Sequence, residues 1–451
     1  MKSHKNKKIY IITFGCSLNF SDSEVMAGLL EKQGFKIVKA SIPDDGIKKA
    51  DLVIVNSCTV KNTTEINFNR LLRNLNSKNK KIVIAGCIPQ TDSEKLEKYS
   101  LVGTTQLNKI VGVVEETMAG HIVKFLERSK TNPRLNLPKI RKNSLVEIIP
   151  ISQGCLGNCS YCKTKAARFD LLSYDNKAII CQAKAAIKQG VKEIWLTSQD
   201  NAVYGYDLSK GKNNKKLTLI DLLKDLIKIP GKFKIRIGMG NPEHFAEIID
   251  ELLLLFNSKP GSKLFKFLHI PVQSGNNTIL KAMNRKYKVS DYKKLIKKIK
   301  QEQPNMTIST DIIVGFPGET KKQFMDSIKL IKELKPNVLN ISRYSARPKT
   351  LAALMPQVYG GKTKDRSRLL TNEFYKIAEQ NNKAWLDWKG EIIIDEIGKK
   401  GTNTLIGRNL SYKPVIIKKI FKGKKIKLGS IIKVKIVSIT KNYLLGEVIK
   451  I

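Results

Sequence analysis

The sequence predicts an α/β protein of three successive units: an open, doubly wound parallel sheet, an incomplete parallel (β/α)6 barrel, and a small β-barrel. Three observations lead to this prediction. Strand-like apolar runs alternate with helix-like stretches over residues 1–127, and the same alternation repeats six times from residue 146. From residue 386 onwards the chain instead contains short β-like segments with Gly and Asn turns. A chain of 451 residues is also long enough for two or three domains.

The first unit, 1–127, rests on three apolar runs that are each followed by a helix-like stretch. The runs are KKIYIITFGC, DLVIVNSC and KIVIAGC. Such runs have the length and composition of buried parallel strands, and their alternation with helices predicts a doubly wound sheet. The polar stretch 128–145 contains two prolines and no apolar periodicity, and it is predicted to be a linker.

The second unit, 146–385, contains six strand-like segments separated by helical patterns. They are VEIIPIS, EIWLTSQD, FKIRIGMG, KFLHIPVQSG, TDIIVGFP and VLNISRYSA. Six βα repeats in a segment of this length fit an incomplete barrel better than the eight-stranded form. A long basic helix is predicted over about 363–389. The third unit, 386–451, has the pattern of a small β-barrel similar to an OB-like module.

Charge and hydropathy limit the partners of the chain. It has 82 Lys and Arg against 39 Asp and Glu, a net charge of +43, which attracts polyanions such as nucleic acids. A general enrichment in lysine would give the same excess without such a partner. No apolar stretch is long enough to cross a bilayer, and the N-terminus has no signal-peptide pattern. We therefore expect a cytoplasmic protein without a membrane partner.

Three of the seven cysteines form a CxxxCxxC motif directly after a predicted strand. Cys155, Cys159 and Cys162 lie on one short loop, where three thiolates can bind three irons of a 4Fe–4S cluster. The fourth iron is then open to a small molecule. A zinc site would need a fourth Cys or His nearby, and the chain has only four histidines. An open-site cluster is therefore the predicted group.

Three other cysteines each end a predicted strand of the first unit. Because the carboxyl ends of parallel strands meet at one edge of a sheet, we expect Cys16, Cys58 and Cys87 to lie close together and to form a second metal site. The alternative is that each is a small buried apolar residue. Cys181 lies among apolar residues at helical spacing and is predicted to be packed in the core.

These motifs resemble the radical-SAM superfamily and, within it, the methylthiotransferases. The resemblance extends over nearly the whole chain through ordered blocks: TFGCSLNFSDSE, VNSCTVKNT, AGCIPQ, SQGCLGNCSYCKTKAAR, TSQDNAVYG, RIGMGNP, HIPVQSGNNTILKAMNRKY, TDIIVGFPGET and YSARPKT. It implies a flavodoxin-like first domain, a radical-SAM barrel and a TRAM-like RNA-binding β-barrel. The segment ISQGCLGNCSYCKTK is most similar to the archaeal and eukaryotic branch that acts on N6-threonylcarbamoyladenosine 3′ to the tRNA anticodon.

The resemblance implies two 4Fe–4S clusters and S-adenosylmethionine as cofactors. One S-adenosylmethionine would methylate sulfur held at the N-terminal cluster. A second would be cleaved reductively at the barrel cluster, because an aromatic C–H carbon is a poor target for polar substitution. The implied partners are the anticodon stem-loop of tRNA and an electron donor such as a ferredoxin or flavodoxin, and we expect a monomer.

Other functions stay open on the sequence alone. The target of the same chemistry could be isopentenyladenosine in tRNA or a ribosomal-protein side chain. A non-catalytic RNA-binding protein with structural or redox-sensing clusters is a further alternative, although structural clusters usually have four protein ligands. A zinc ribbon does not fit the cysteine spacing.

The resemblance also implies cofactor contacts in the barrel, at Gln199, Asp200, Arg236, Gln273, Ser274 and Gly315. Gln199 and Asp200 could instead be polar strand-end caps, Arg236 a buried arginine with a carboxylate partner, and Gly315 part of a strand-to-helix turn.

The basic C-terminal tail contains candidate RNA contacts, and the chain departs from the family pattern at two positions. The segment 389–451 has a net charge of +11. Arg408, Tyr412 and Lys413 in this tail are predicted to contact RNA through phosphates and stacking, unless they belong to a solvated lysine face. The family commonly has Gly where this chain has Phe169 and Lys349. These departures bear on the substrate and not on the cluster chemistry.

Overall fold

The computed structural model describes residues 6–60, 62–129, 134–210 and 215–450. It confirms the α/β prediction, with an open parallel sheet, a parallel barrel of six strands and a closed barrel of five strands. Part of the predicted linker, 130–133, lies outside the described residues. Within the described ranges, no helix is both long enough and apolar enough to span a bilayer.

The N-terminal sheet is parallel throughout. Its elements in chain order are β1 (Lys8–Thr13), α1 (Ser17–Lys32), β2 (Lys36–Ile37), α2 (Pro43–Lys49), β3 (Leu52–Ser57), α3 (Asn62–Ser77), β4 (Lys81–Gly86), α4 (Cys87–Thr91), β5 (Ser100–Val102), α5 (Ile110–Ala119) and β6 (Lys124–Phe125). The strand order is β2-β1-β3-β4-β5-β6. Strand β3 is buried along its whole length, with Val53 and Val55 in the core on one face and Ile54 in the core on the other. Apolar residues on both faces are what a doubly wound sheet requires, because helices cover both sides.

The described part of the linker packs along α1 and is not a loose connection. The Ile140 N–H donates to the Glu24 carbonyl at 2.9 Å. The Lys139 ammonium lies 3.2 Å from Glu24 and 2.7 Å from Glu147. These three charged groups are buried, so their mutual pairing fixes the segment between the sheet and the barrel.

The central barrel is made of two three-stranded parallel sheets. Its elements are β7 (Val146–Pro150), β8 (Ser152–Gln153), α6 (Thr164–Arg168), β9 (Leu172–Ser173), α7 (Asn176–Lys188), β10 (Glu193–Thr197), β11 (Ser209–Lys210), β12 (Lys215–Lys216), α8 (Leu219–Lys228), β13 (Lys234–Arg236), α9 (Pro242–Asn257), β14 (Phe267–His269), α10 (Asn277–Ala282), α11 (Val289–Glu302), β15 (Thr307–Val314), α12 (Lys321–Leu334), β16 (Val338–Arg343) and α13 (Gly360–Lys383). Strands β7, β10 and β13 form one sheet, and β14, β15 and β16 form the other. A bridge between Ile235 and Leu264 joins them. Among the described residues β7 and β16 do not pair, so the barrel is open on that side.

Cys181 does not lie in the core, contrary to the prediction. Helix α7 buries Ile179, Gln182, Ala183 and Ala186, whereas Cys181 is exposed. Residues two positions apart on a helix point to nearly opposite sides, so Cys181 faces away from the side that Ile179 buries. The apolar residues next to Cys181 in the sequence therefore led to the wrong prediction, because they lie on a different face of the helix.

The C-terminal barrel is closed, as predicted for a small β-barrel. Its strands are β17 (Lys389–Ile397), β18 (Thr404–Arg408), β19 (Pro414–Lys418), β20 (Ile420–Phe421), β21 (Lys424–Lys425), β22 (Ile431–Ile439) and β23 (Leu444–Lys450). The order around the barrel is β17-β18-β19-β23-β22, and β22 pairs with β17 to close it. Strands β20 and β21 form a separate hairpin.

A buried cluster of rings and guanidinium groups joins the C-terminal barrel to the central barrel. The Tyr412 ring centre lies 4.8 Å from that of Phe265 and 5.2 Å from that of Phe267. The guanidinium groups of Arg236 and Arg408 each lie 5.2 Å from the centre of the same ring. Tyr412 is therefore an anchor between two domains, held by aromatic and cation–π contacts.

The residues predicted to contact RNA lie in this interface. The Arg408 side chain is 16% exposed and pairs with Asp395. The buried Lys413 donates to Asn382 at 2.8 Å. Because Arg408, Tyr412 and Lys413 lie between the two barrels, their contacts do not support the prediction that they bind RNA. The sequence shows that a residue is positively charged, but not whether its side chain is buried in an interface or exposed to solvent.

Arg236 also belongs to this cluster. Its guanidinium lies 5.1 Å from the Trp195 ring centre and 4.9 Å from the Phe267 ring centre. These contacts direct its guanidinium towards the C-terminal barrel, whereas the Cys155 loop follows β7 and β8. The contacts of Arg236 therefore do not support its predicted role in cofactor binding.

Glu193 gives the interface a pH dependence. Burial, followed by the nearby Asp395, raises the pKa of Glu193 from 4.5 to about 7. Because the folded-state pKa is above the unfolded value, the stabilisation is complete below pH 4.5 and is lost as the pH rises through about 7. We expect Glu193→Gln to raise the free energy of unfolding at pH 8 by about 3 kcal/mol more than at pH 4.5.

Urea unfolding followed by tryptophan fluorescence would measure this effect, because Trp195 donates to Glu193 at 2.8 Å and reports on the cluster. An equal change in stability at both pH values would contradict the expectation. Trp195→Phe, read by circular dichroism, controls for loss of that hydrogen bond together with the indole contacts to Arg236 and Tyr412.

Candidate active site

The first cysteine triad lies on the loop between β8 and α6, at the carboxyl end of the first barrel strands. A side chain at Gly157 would meet the Cys155 sulfur at 3.4 Å and the Cys159 sulfur at 4.0 Å, so the loop brings these two thiols around one point. The Gly157 N–H donates to the Cys155 sulfur at 3.2 Å. Cys162 is close enough to both other thiols to interact with them electrostatically. The three predicted ligands are therefore brought together.

A polar network supports this loop from the neighbouring strands. Arg285 donates to the Cys159 sulfur at 3.5 Å and to Asn241 at 2.6 Å. Asn241 donates to Asp200 at 2.8 Å, and His244 lies 2.7 Å from the same carboxylate. Asp200 is fully buried. Its carboxylate is thus held by protein groups, and it orients the residues that contact the triad.

The other predicted cofactor contacts lie around the same end of the barrel. Gln199 follows β10, and its buried side-chain oxygen has no hydrogen-bond partner within the described parts of the chain. Gln273 has φ +69° and bridges Ile312. Ser274 is fully buried. At Gly315, with φ +73°, a side chain would collide with Thr363, which explains why glycine is needed there.

The second cysteine triad forms at the carboxyl edge of the N-terminal sheet, as predicted. Cys16 caps α1 after β1, and Cys58 and Cys87 directly follow β3 and β4. A side chain at Gly15, beside Cys16, would lie 2.9 Å from the Cys58 sulfur. Cys58 and Cys87 are both buried, and Cys16 is exposed. Adjacent parallel strands thus bring together residues that are far apart in sequence.

The donor set of each triad, three cysteine sulfurs, is one that a 4Fe–4S cluster with one open iron uses. A cluster binds each thiolate on a different iron, so its ligands surround it and do not meet at one point. Burial raises the pKa of Cys155 and of Cys58 to about 12. Binding of a metal group must therefore displace protons from these thiols.

Buried ion pairs dock the edge of the sheet that carries one triad onto the end of the barrel that carries the other. Lys163, next to Cys162, pairs with Asp92, the residue that follows α4. Both side chains are almost fully buried. Arg347 lies 2.6 Å from Glu65. These contacts fix the two cysteine sites relative to each other.

A cavity of about 520 Å³ lies between the two domains. Its wall includes Val60, two residues after Cys58, and Tyr161, which precedes Cys162. Tyr344 and Arg347 also line it. The cavity is therefore bordered by sequence neighbours of both triads, and its volume is in the range of small-molecule sites.

Comparison with known proteins decides the family. Residues 8–104 match the uncharacterized protein family UPF0004, and residues 149–331 match the Radical SAM superfamily. A probable threonylcarbamoyladenosine tRNA methylthiotransferase of Pyrococcus horikoshii is 37% identical over 446 residues, which are 98% of this chain and 99% of that protein. The chain belongs to the threonylcarbamoyladenosine tRNA methylthiotransferase family. The human threonylcarbamoyladenosine tRNA methylthiotransferase is 40% identical over 433 residues, 94% of this chain and 72% of the human protein.

As a radical-SAM methylthiotransferase, the protein is an enzyme that transfers a sulfur-containing group. Solved structures share its fold. A radical S-adenosylmethionine methyltransferase of Kitasatospora setae, TsrM, with a bound S-adenosylmethionine analogue, has a TM-score of 0.55 and 11% identity, covering 84% of this chain and 90% of that chain. A second TsrM structure, with cobalamin and a 4Fe–4S cluster, has a TM-score of 0.53 and 12% identity over 77% of both chains. At these identities the likeness concerns the fold alone.

In this methylthiotransferase, Phe169 and Lys349, where the resemblance led us to expect glycine, both lie where the backbone is left-handed. Phe169 has φ +67° and Lys349 has φ +66°. Such conformations cost a residue with a side chain on the order of 1–3 kcal/mol. The Arg128 guanidinium lies 4.9 Å from the Phe169 ring centre, and Lys349 lies 3.2 Å from Glu94. These contacts offset part of the strain.

Several residues of the site were not predicted from the sequence of this methylthiotransferase. Asn241 and Arg285 lie in blocks that carry the family resemblance, RIGMGNP and the block ending in MNRKY, but nothing in the blocks indicated a role. Lys163 and Asp92 are separated by 71 positions and gave no signal before the domains were seen together.

Proposed function

We propose that this methylthiotransferase converts N6-threonylcarbamoyladenosine, 3′ to the anticodon of tRNA, to its 2-methylthio derivative. One 4Fe–4S cluster would bind to Cys155, Cys159 and Cys162, and a second to Cys16, Cys58 and Cys87. The cavity bordered by neighbours of both triads is the observation that supports this proposal, because a base placed there is next to both sites. When bound, the barrel cluster supplies the electron that cleaves S-adenosylmethionine, and the N-terminal cluster holds the sulfur.

The residues of the chain bind and orient the reactants. The unpartnered oxygen of Gln199 is an acceptor suited to the amino group of the methionine moiety. Tyr161 and Tyr344 offer aromatic faces for a purine in the cavity. Arg285 and Gly157 donate N–H groups to two cysteine sulfurs, which stabilises thiolates in a buried site.

We propose that exposed lysines of the C-terminal barrel, and not Arg408, Tyr412 and Lys413, contact the tRNA backbone. They lie on and around the β20–β21 hairpin, at Lys418, Lys422, Lys424, Lys425 and Lys427. A cluster of mobile ammonium groups is suited to phosphates without base specificity. We further propose a cytoplasmic monomer that accepts electrons from a ferredoxin or flavodoxin.

Anaerobic reconstitution with iron and sulfide, followed by assay with S-adenosylmethionine and a reductant, tests this function. Three substrates are compared: tRNA with N6-threonylcarbamoyladenosine, tRNA with isopentenyladenosine, and ribosomes. We expect a gain of one methylthio group, read by mass spectrometry, in the first alone. A product from either of the others would replace the proposed substrate. Formation of 5′-deoxyadenosine with no modified product would support the radical chemistry but reject the proposed substrate.

A further inference from the structure

Arg168 belongs to the barrel but lies in the N-terminal domain's cysteine site. It ends helix α6, six residues after Cys162, and its side chain is 1% exposed. Its Nη2 donates to Asp22 at 2.8 Å and to Asn19 at 3.2 Å, and both of these residues are on α1. The Cys16 thiol lies 3.5 Å from the same Asn19 oxygen. One barrel side chain therefore completes the polar shell of the other domain's triad.

The guanidinium has one N–H group that protein oxygen and nitrogen atoms leave free. Nη1 of Arg168 is buried and has no oxygen or nitrogen partner among the described residues. The guanidinium is close enough to Cys16 and Cys87 to interact electrostatically with both, and it also hydrogen-bonds the Cys87 thiol. A guanidinium placed among these sulfurs can therefore donate to a further sulfur ligand bound beside them.

The charges around Asp22 do not balance among the described residues. Arg134 and Arg168 both pair with the Asp22 carboxylate, and no second carboxylate pairs with either arginine. All three side chains are buried, and Arg168 is the arginine that interacts electrostatically with Cys16 and Cys87. Because a buried charge needs compensation, Arg168 favours anionic groups at this triad, namely the thiolates and a ligand bound beside them.

We propose that Arg168 is a positioning residue that holds an anionic sulfur ligand, a sulfide or thiolate, at the site of Cys16, Cys58 and Cys87. This inference rests on the proposed function in one respect, that a cluster occupies this triad. It adds that the barrel contributes a ligand-holding group, so that the N-terminal site is complete only when the two domains are docked.

The test uses the full chain with Cys155, Cys159 and Cys162 all replaced by alanine, so that only the N-terminal cluster forms. Methanethiolate is titrated into the reconstituted protein, and its binding is followed by the electron paramagnetic resonance spectrum of the reduced cluster. We expect Arg168→Gln to weaken binding at least tenfold, since a charge-assisted hydrogen bond is lost. Arg134→Gln is the matched control: it removes the other partner of Asp22 and should leave the affinity within about twofold.

The outcomes separate this inference from the proposed function. If the parent takes up no iron, both the proposed second cluster and the role proposed for Arg168 are rejected. If the parent binds iron and Arg168→Gln binds methanethiolate as tightly as the parent, the inference alone is overturned.

Where Arg168→Gln does not fold, Arg168→Lys and Arg134→Lys carry the test. Both variants keep a charge near Asp22, but only Arg168→Lys loses the guanidinium beside the cysteines. We expect binding about threefold weaker in Arg168→Lys and unchanged in Arg134→Lys. Equal affinities in this pair would overturn the inference.

Discussion

Cys159→Ala is expected to lower the formation of 5′-deoxyadenosine at least about a thousandfold, because the barrel cluster then has only two protein ligands. Cys159 also receives the hydrogen bond from Arg285, so its removal takes away the sulfur at the centre of the supporting network. The measurement is anaerobic chromatography of 5′-deoxyadenosine with S-adenosylmethionine and dithionite, without tRNA.

Cys181→Ala is the matched control for this change. Cys181 is a cysteine of the same domain, but it is exposed on α7 and belongs to neither triad. We expect its activity and iron content to equal those of the parent. Unchanged formation of 5′-deoxyadenosine in Cys159→Ala would remove the radical chemistry from this loop.

Cys58→Ala is expected to separate the two halves of the reaction. Formation of 5′-deoxyadenosine should stay within about threefold of the parent, while the methylthio product falls below detection, since only the sulfur-holding site is lost. Bound iron should fall from about eight to about four per chain, because each 4Fe–4S cluster contributes four. Iron assay and nucleoside mass spectrometry on one preparation measure both effects.

Loss of both 5′-deoxyadenosine formation and methylthio product in Cys58→Ala would indicate that the N-terminal domain no longer docks on the barrel. Cys58 is buried and close enough to Arg168 of the barrel to interact with it, so a variant that unfolds the N-terminal domain would lose both activities. Cys58→Ser keeps nearly the same volume and serves as the control for packing. A methylthio product at parental rate in both variants would contradict the second cluster site.

The sequence was sufficient for the fold and for both triads, because each depends on local patterns. Strand-to-helix alternation fixed the direction of the strands, and parallel strands bring their carboxyl ends together whatever the loop lengths. Cys16, Cys58 and Cys87 could therefore be grouped without knowledge of a single contact. The regular apolar period of the barrel strands gave their approximate positions in the same way.

The sequence was insufficient wherever two domains meet. Arg408 and Tyr412 have the composition of an RNA-binding loop, and only docking against Phe265 makes them an interface. The pair of Lys163 and Asp92 is set by the relative orientation of the domains, which no local period encodes. Cys181 shows a different limit, since neighbouring residues of a helix can lie on its buried and its exposed side, and the sequence did not show which side holds Cys181.

The buried arginine that crosses from the barrel has a consequence for biosynthesis. The ribosome completes Cys16, Cys58 and Cys87 well before it completes Arg168, and N-terminal domains generally fold first. A nascent N-terminal domain therefore presents three thiols and the lone Asp22 carboxylate before either arginine arrives. Iron delivered at that stage would meet the thiols without the guanidinium that completes their polar shell in the folded protein. The order of synthesis thus favours maturation after the barrel has docked, and protection of the early thiols from oxidation until then.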